Sequence, residues 1–134
     1  LALFCLFGKT LETLQAGNET VTVQLTYPTR LRYQMYDSME VTVHNLSPKL
    51  LSGVEVHFPR DYIDQFGSVD FTPQAEAIED EFYLVEFYDL APQQTQTVKV
   101  SLQADSAWRH SGEIIIAAAG AEPVVLNVVT WVFP

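Results

Sequence analysis

MEVTVHNLSPKLLSGVEVHFP, residues 39–59, is the stretch that decides the fold. Met39, Val41 and Val43 alternate with Glu40, Thr42 and His44. After a break, Val54, Val56 and Phe58 alternate with Glu55 and His57. A period of two over both runs is the mark of half-buried strands, because a helix repeats its apolar face every 3.6 residues. The break carries turn chemistry: Asn45, Ser47 and Pro48, then Ser52 and Gly53.

The same period extends outward in both directions. TVTVQLTY (20–27) places Val21, Val23, Leu25 and Tyr27 on one face. RLRYQMY (30–36) alternates Leu31, Tyr33 and Met35 with Arg30, Arg32 and Gln34. TVKVSLQA (97–104) turns Val98, Val100, Leu102 and Ala104 inward. Three further runs are apolar on both faces: FYLVEFY (82–88), EIIIAAA (113–119) and VVLNVVTWVF (124–133). These read as central strands or as strands covered on the outer face. SVDFT (68–72) reads as a short extra strand. Residues 60–81 supply a crossover, with DYIDQFGSV as a helical turn or loop. TPQAEAIEDE could do the same, with Thr72 as cap and Pro73 at the first helical position. The sum is an all-β chain of eight or nine short strands, an antiparallel β-sandwich over residues 18–134.

The run quoted first, followed by FYDLAPQQTQTVKVSLQA (87–104), resembles the immunoglobulin-like modules of bacterial and archaeal surface proteins, of the CARDB and DUF11 types. The shared pattern is a strand ending in an Asn turn, a strand beginning V-x-V-x-F-P, and a later L-x-P-x-x-T-x-T-V-x-V-x-L. The resemblance covers about residues 38–104. It departs at Gln93, where those modules carry Gly. Gln there predicts a type I turn in place of the type II turn that Gly allows. The resemblance implies a spacer, adhesion or assembly module with no catalytic residues to carry over.

Charge narrows the partners. The chain of 134 residues has a formal net charge of −10. A phosphate backbone is repelled by such a surface, which speaks against nucleic acid. An anionic lipid surface is repelled as well, so membrane attachment has to come from apolar burial. Residues 61–98 contain no Lys, Arg or His but hold Asp61, Asp64, Asp70, Glu76, Glu79, Asp80, Glu81, Glu86 and Asp89. That predicts a strongly negative surface, with Glu76, Glu79, Asp80 and Glu81 as a patch for a basic partner. A calcium site is the alternative there, but no D-x-[DN]-x-[DN]-G pattern is present. The run reads as a solvated loop.

Other constellations are weaker. His44 and His57 flank what reads as one hairpin, and two such rings can share a metal. A third ligand would come from Glu40, Glu55 or Asp61, and surface histidines are the better reading. Trp108, Arg109 and His110 read as a loop, with Trp108 tucked over the sandwich end. If exposed, Trp108 and Tyr88 could instead form stacking platforms for a carbohydrate. Nothing resembles G-x-S-x-G or another nucleophile turn, so neither catalytic residues nor a cofactor is expected. Cys5, the single cysteine, lies among apolar neighbours and has nothing to lower its pKa.

The chain opens LALFCLFGK. Leu1, Leu3, Phe4, Leu6 and Phe7 form an apolar stub closed by Lys9, whose long stem can reach to an interface. Beyond it Phe7, Leu11 and Leu14 repeat at helical spacing, with Gly17 placed to end a helix. Residues 1–17 are therefore expected to be a helix, the exit end of a membrane anchor. Nine helical residues span about 14 Å, against a hydrocarbon core of about 30 Å, so the stub alone cannot cross. The expectation is a non-catalytic module, anchored in a membrane with the sandwich on the extracytoplasmic (periplasmic or cell-surface) side. Its expected partners are other protein subunits of a membrane complex.

Overall fold

The computed structural model describes residues 10–79 and 81–134. The elements run β1 (Thr10–Gly17), β2 (Val21–Arg32), β3 (Tyr36–Asn45), β4 (Val54–Pro59), α1 (Arg60–Ile63), β5 (Phe66–Thr72), β6 (Ala77–Ile78), β7 (Phe82–Phe87), β8 (Thr95–Ala104), β9 (Trp108–Ala118) and β10 (Val124–Phe133). Hydrogen bonds join them in the order β5-β8-β3-β2-β10-β9-β4-β7-β6, with β1 added on β2.

This path folds back on itself at β2. Residues Val21–Thr26 pair antiparallel with β3. Arg30–Arg32 then pair parallel with Trp131–Phe133 of β10. The β5 end of the path is thereby laid over the β4–β7 end. Phe71 of β5 meets Phe58 of β4 at 5.4 Å and Tyr83 of β7 at 5.5 Å between ring centroids. The result is a sandwich of two layers: β1-β2-β3-β8-β5, and the end of β2 with β10-β9-β4-β7-β6. The pairing is antiparallel except for the short β2–β10 ladder.

The core lies between the layers and follows the alternation. Val23, Val41, Val43, Val56, Phe58, Val100 and Leu102 are fully buried, as are Leu25, Met39 and Ile114. SVDFT lies within β5, and DYIDQFGSV opens with the helical turn α1. That turn is pinned by Tyr62, whose hydroxyl lies 2.7 Å from Thr130 Oγ1. Thr130 donates its own proton to the Pro28 carbonyl at 2.6 Å, so Tyr62 is the donor to Thr130. Burial pushes the Tyr62 phenol above its ordinary pKa of 10. Gly112 makes the close approach of α1 workable: a Cβ there would lie 2.6 Å from Pro59 Cγ and 3.0 Å from Tyr62 Cβ.

Several expectations are corrected. Residues Thr10–Gly17 form a strand, not the end of a helix, and the sandwich starts before residue 18. The spacing of Leu11 and Leu14 allows a helix, but β2 offers an open edge. Eight residues pair along it, from Thr10 opposite Arg30 to Gly17 opposite Thr22. Leu14 and Ala16 pack on the core, and Thr13 meets Thr26 at 3.0 Å. The anchor residues Leu1, Leu3, Phe4, Leu6, Phe7 and Lys9 lie outside the described residues. RLRYQMY is not one strand: β2 ends at Arg32, and a turn follows with Gln34 at φ 68°. Gln93 also has positive φ, 65°. The Gln94 amide bonds the Ala91 carbonyl at 3.0 Å, so this is the type II geometry that Gly would favour. His44 takes the Gln93 side chain at 3.2 Å, which holds the strained residue in place. TPQAEAIEDE forms the two-residue β6 in place of a helical turn.

Candidate interaction surface

The two outer faces of the sandwich are built from opposite chemistry. On the first layer one cross-strand row runs Thr13, Thr26, Glu40, Lys99, Thr72. The next rows hold Thr42 bonded to Thr97 at 3.1 Å and His44 bonded to Thr95 at 2.8 Å. Apart from Gly17, every outward position in these rows is polar. On the second layer a row runs Leu84, His57, Ile115, Val125 across β7, β4, β9 and β10. Phe82, Ala117 and Val129 also face outward beside it. Val125 is exposed and the other apolar members are half-buried. His57 belongs to this surface through a 5.3 Å edge contact with Phe82 and a 3.0 Å bond to Glu55.

The runs that read as apolar on both faces are thus β7, β9 and β10. β9 is central, between β10 and β4. Among the described residues no element of the chain covers their outer side. An open groove of about 680 Å³ lies at one end of this face. Phe82, Ile115 and Val129 give it an apolar lining, and Asp61, Glu81, Glu113 and Arg109 line it with charge.

The acidic patch borders the groove. Glu76, Glu79 and Glu81 are exposed; Asp80 is outside the described residues. Arg60 ties this loop to α1: its side chain donates to the Glu79 carbonyl at 3.1 Å and its amide to the Glu81 carbonyl at 2.9 Å. The Tyr88 hydroxyl donates to the Glu76 carboxylate. That hydrogen bond, with the nearby negative charge, pushes the Tyr88 phenol up to about 12. Tyr83 is likewise raised, first by its bond to Asp64.

Other candidates come apart. Trp108 is not tucked over the sandwich end: it is 62% exposed, at φ 82°. Tyr88 is exposed too, but the two sit at opposite ends. Tyr88 follows Phe87, which lies in a row with Val54 and Ala118, whereas Trp108 starts β9. That strand of 11 residues is about 33 Å long, so the two rings form no common platform. His44 and His57 do not share a hairpin, because β3 and β4 lie in different layers. Among the described residues no three His, Cys, Asp or Glu side chains gather as a metal would need. His110 is a buried strand residue bonded to the Ser106 carbonyl at 2.7 Å, not part of a loop. Asn45, which the sequence marks as a turn residue, proves also to be a buried brace. Its buried amide donates to the Lys49 and Leu90 carbonyls at 2.8 and 2.9 Å and accepts from the Ser47 amide at 2.8 Å. Its place in an Asn-Leu-Ser-Pro turn was the available signal.

No protein-family model matches the chain, and no curated protein matches it. Solved structures do. The CARDB domain of a Pyrococcus furiosus protein, in complex with di-metal ions, superposes with a TM-score of 0.58. It is 12% identical, and the match covers 88% of this chain and 98% of that one. The chain has the fold of a CARDB-type β-sandwich. A FixG-related protein from Vibrio parahaemolyticus matches at a TM-score of 0.45 and 7% identity, over 92% of this chain and 94% of that one. At 12% identity the likeness to the CARDB domain speaks for the fold alone.

Proposed function

We propose that this sandwich is a non-catalytic interaction module, held at a membrane on its extracytoplasmic side, that packs against another subunit of a larger complex. The docking face is the outer side of β7, β4, β9 and β10. The observation that carries this reading is the row Leu84, His57, Ile115, Val125, whose three apolar members adjoin across four strands of one outer face, while the central rows of the other face are polar and its exposed apolar side chains, Leu11 and Tyr36, stand apart on different strands. A soluble surface leaves single apolar residues exposed as a matter of course, but a contiguous apolar stripe rimmed by charge is the pattern of a protein interface. The rim of Asp61, Glu81 and Glu113 selects a partner whose apolar patch is bordered by Lys or Arg. The CARDB-type fold and the apolar sequence of residues 1–7 support the placement. No helix among the described residues is long and apolar enough to cross a membrane.

The test is purification of the full-length gene product from detergent-solubilised membranes. Ile115→Lys with Val125→Lys should cut the co-purifying subunit by about tenfold or more, while Thr97→Lys on the opposite face should leave it unchanged. Retention of the subunit by the double variant, or loss with both, would remove the proposed docking face. Recovery of the protein without detergent would remove the anchor.

A further inference from the structure

We propose that one end of the sandwich, made by the end of β2, the start of β9 and the end of β10, rests in the headgroup region of a phospholipid bilayer. This inference rests on the membrane-held reading above and adds which end of the domain meets the lipid.

Six aromatic side chains are exposed among the described residues: Tyr33, Tyr36, Tyr88, Trp108, Trp131 and Phe133. All but Tyr88 lie at this end. Trp131 and Phe133 pair with Arg30 and Arg32 across the parallel ladder. Trp131 pairs with Arg109 on its other side, and Val132 pairs with Trp108. Tyr33 continues the same edge, its amide bonded to the Phe133 carbonyl at 2.8 Å. The Arg30 guanidinium stands over the Phe133 ring, 5.5 Å from its centroid. Both tryptophans of the chain are in this set. Tryptophan and tyrosine interleaved with arginine is the composition of an interfacial belt: the rings sit among headgroups, and the guanidinium groups reach phosphate.

Where the chain enters gives the occupant. Residues 1–9, the apolar stub, join the domain at Thr10. Thr10 lies opposite Arg30, in the row that holds Trp131 and Arg109. A stub in the bilayer would therefore bring this end to its surface. Burial of rings has to drive the contact, because Glu12, Asp37 and Asp105 border this end and the net charge is −10. A zwitterionic lipid suffices. In this pose the strands stand away from the bilayer, and the Leu84–Val125 row faces sideways, toward a neighbour in the membrane plane.

The two tryptophans make the test direct. The full chain is reconstituted into phosphatidylcholine vesicles with and without bromines at acyl carbons 6 and 7, and flotation is measured on the same samples. The expected result is co-flotation with tryptophan emission falling to roughly half or less in the brominated vesicles. Trp131→Phe, which leaves Trp108 as sole reporter, should still be quenched. A chain that floats with unquenched tryptophans that iodide can reach overturns this orientation alone, and would give this end to a protein partner or to water. A chain that does not float overturns the anchor together with the orientation.

Discussion

The two outer faces of this sandwich share a core and a strand pattern, yet the central rows of one are Thr, His, Glu and Lys, while the other carries Leu84, Ile115 and Val125 in a row with His57, between rows that hold Glu55, Glu86, Glu113 and Asn127. Folding explains the first. Thr42 and Thr97 are β-branched, suit a pleated surface, and keep their hydroxyls toward water. It does not explain the second. Ile115 and Val125 point away from the core that Ile114, Ile116 and Leu126 fill, so their burial gains the domain little. Alternate residues of the same strands thus differ in what they do for the fold: the inner ones close the core, and the outer ones are left over for the proposed docking face.

The strongest way to break that division is to compare neighbours on β9. Ile116→Ala should destabilise by about 2–5 kcal/mol, since it opens a cavity in a closed core. Ile115→Ala, one residue away, should cost about 1 kcal/mol or less. Chemical denaturation of both variants is the check; equal losses would mean that the outer row is a second core. Tyr62 tests the join between the layers. Tyr62→Phe should cost about 1–3 kcal/mol at neutral pH, because Thr130 loses its donor in a buried site. The phenol pKa is raised on folding, so its contribution is intact below pH 10 and is lost as pH rises through the folded value. The variant should therefore lack the corresponding share of the alkaline decline in melting temperature. Thr97→Ala, on the polar face, should change stability by about 0.5 kcal/mol or less. Smallest of all, EDTA should leave the melting temperature unchanged; a marked drop would reveal a calcium site in the acidic stretch.

Much of this was legible in the chain. Alternation named the inward residues, because a half-buried strand must place every second side chain in the core. The order of the strands was not legible. Residues 39–59 read as one hairpin, but the connection carries the chain from one layer to the other, and sequence adjacency says nothing of that step. β1 was misread because Leu11 and Leu14 satisfy a helical period as well as Leu14 and Ala16 satisfy a strand, and the open edge of β2 decided between them. Gln34 and Gln93 sit at positive φ without the Gly that would have announced it; each donates its backbone amide to a carbonyl at the end of a distant strand, Ala104 and Asn45 respectively. The proposed docking face was half legible: the alternation marks strands that are apolar on both sides, but whether their outer side is covered by this chain or left open is a property of the packed layers.

If the proposed docking face is real, a partner meets the outer side of β7, β4, β9 and β10 and not that of β3 and β8. The most direct measurement places a photo-activatable crosslinking residue at Ile115 in one variant and at Thr97 in another, in the full-length protein in its native membranes. A discrete crosslinked subunit is expected from position 115 and none from position 97. Equal labelling from both faces, or crosslinking from position 97 alone, would contradict it.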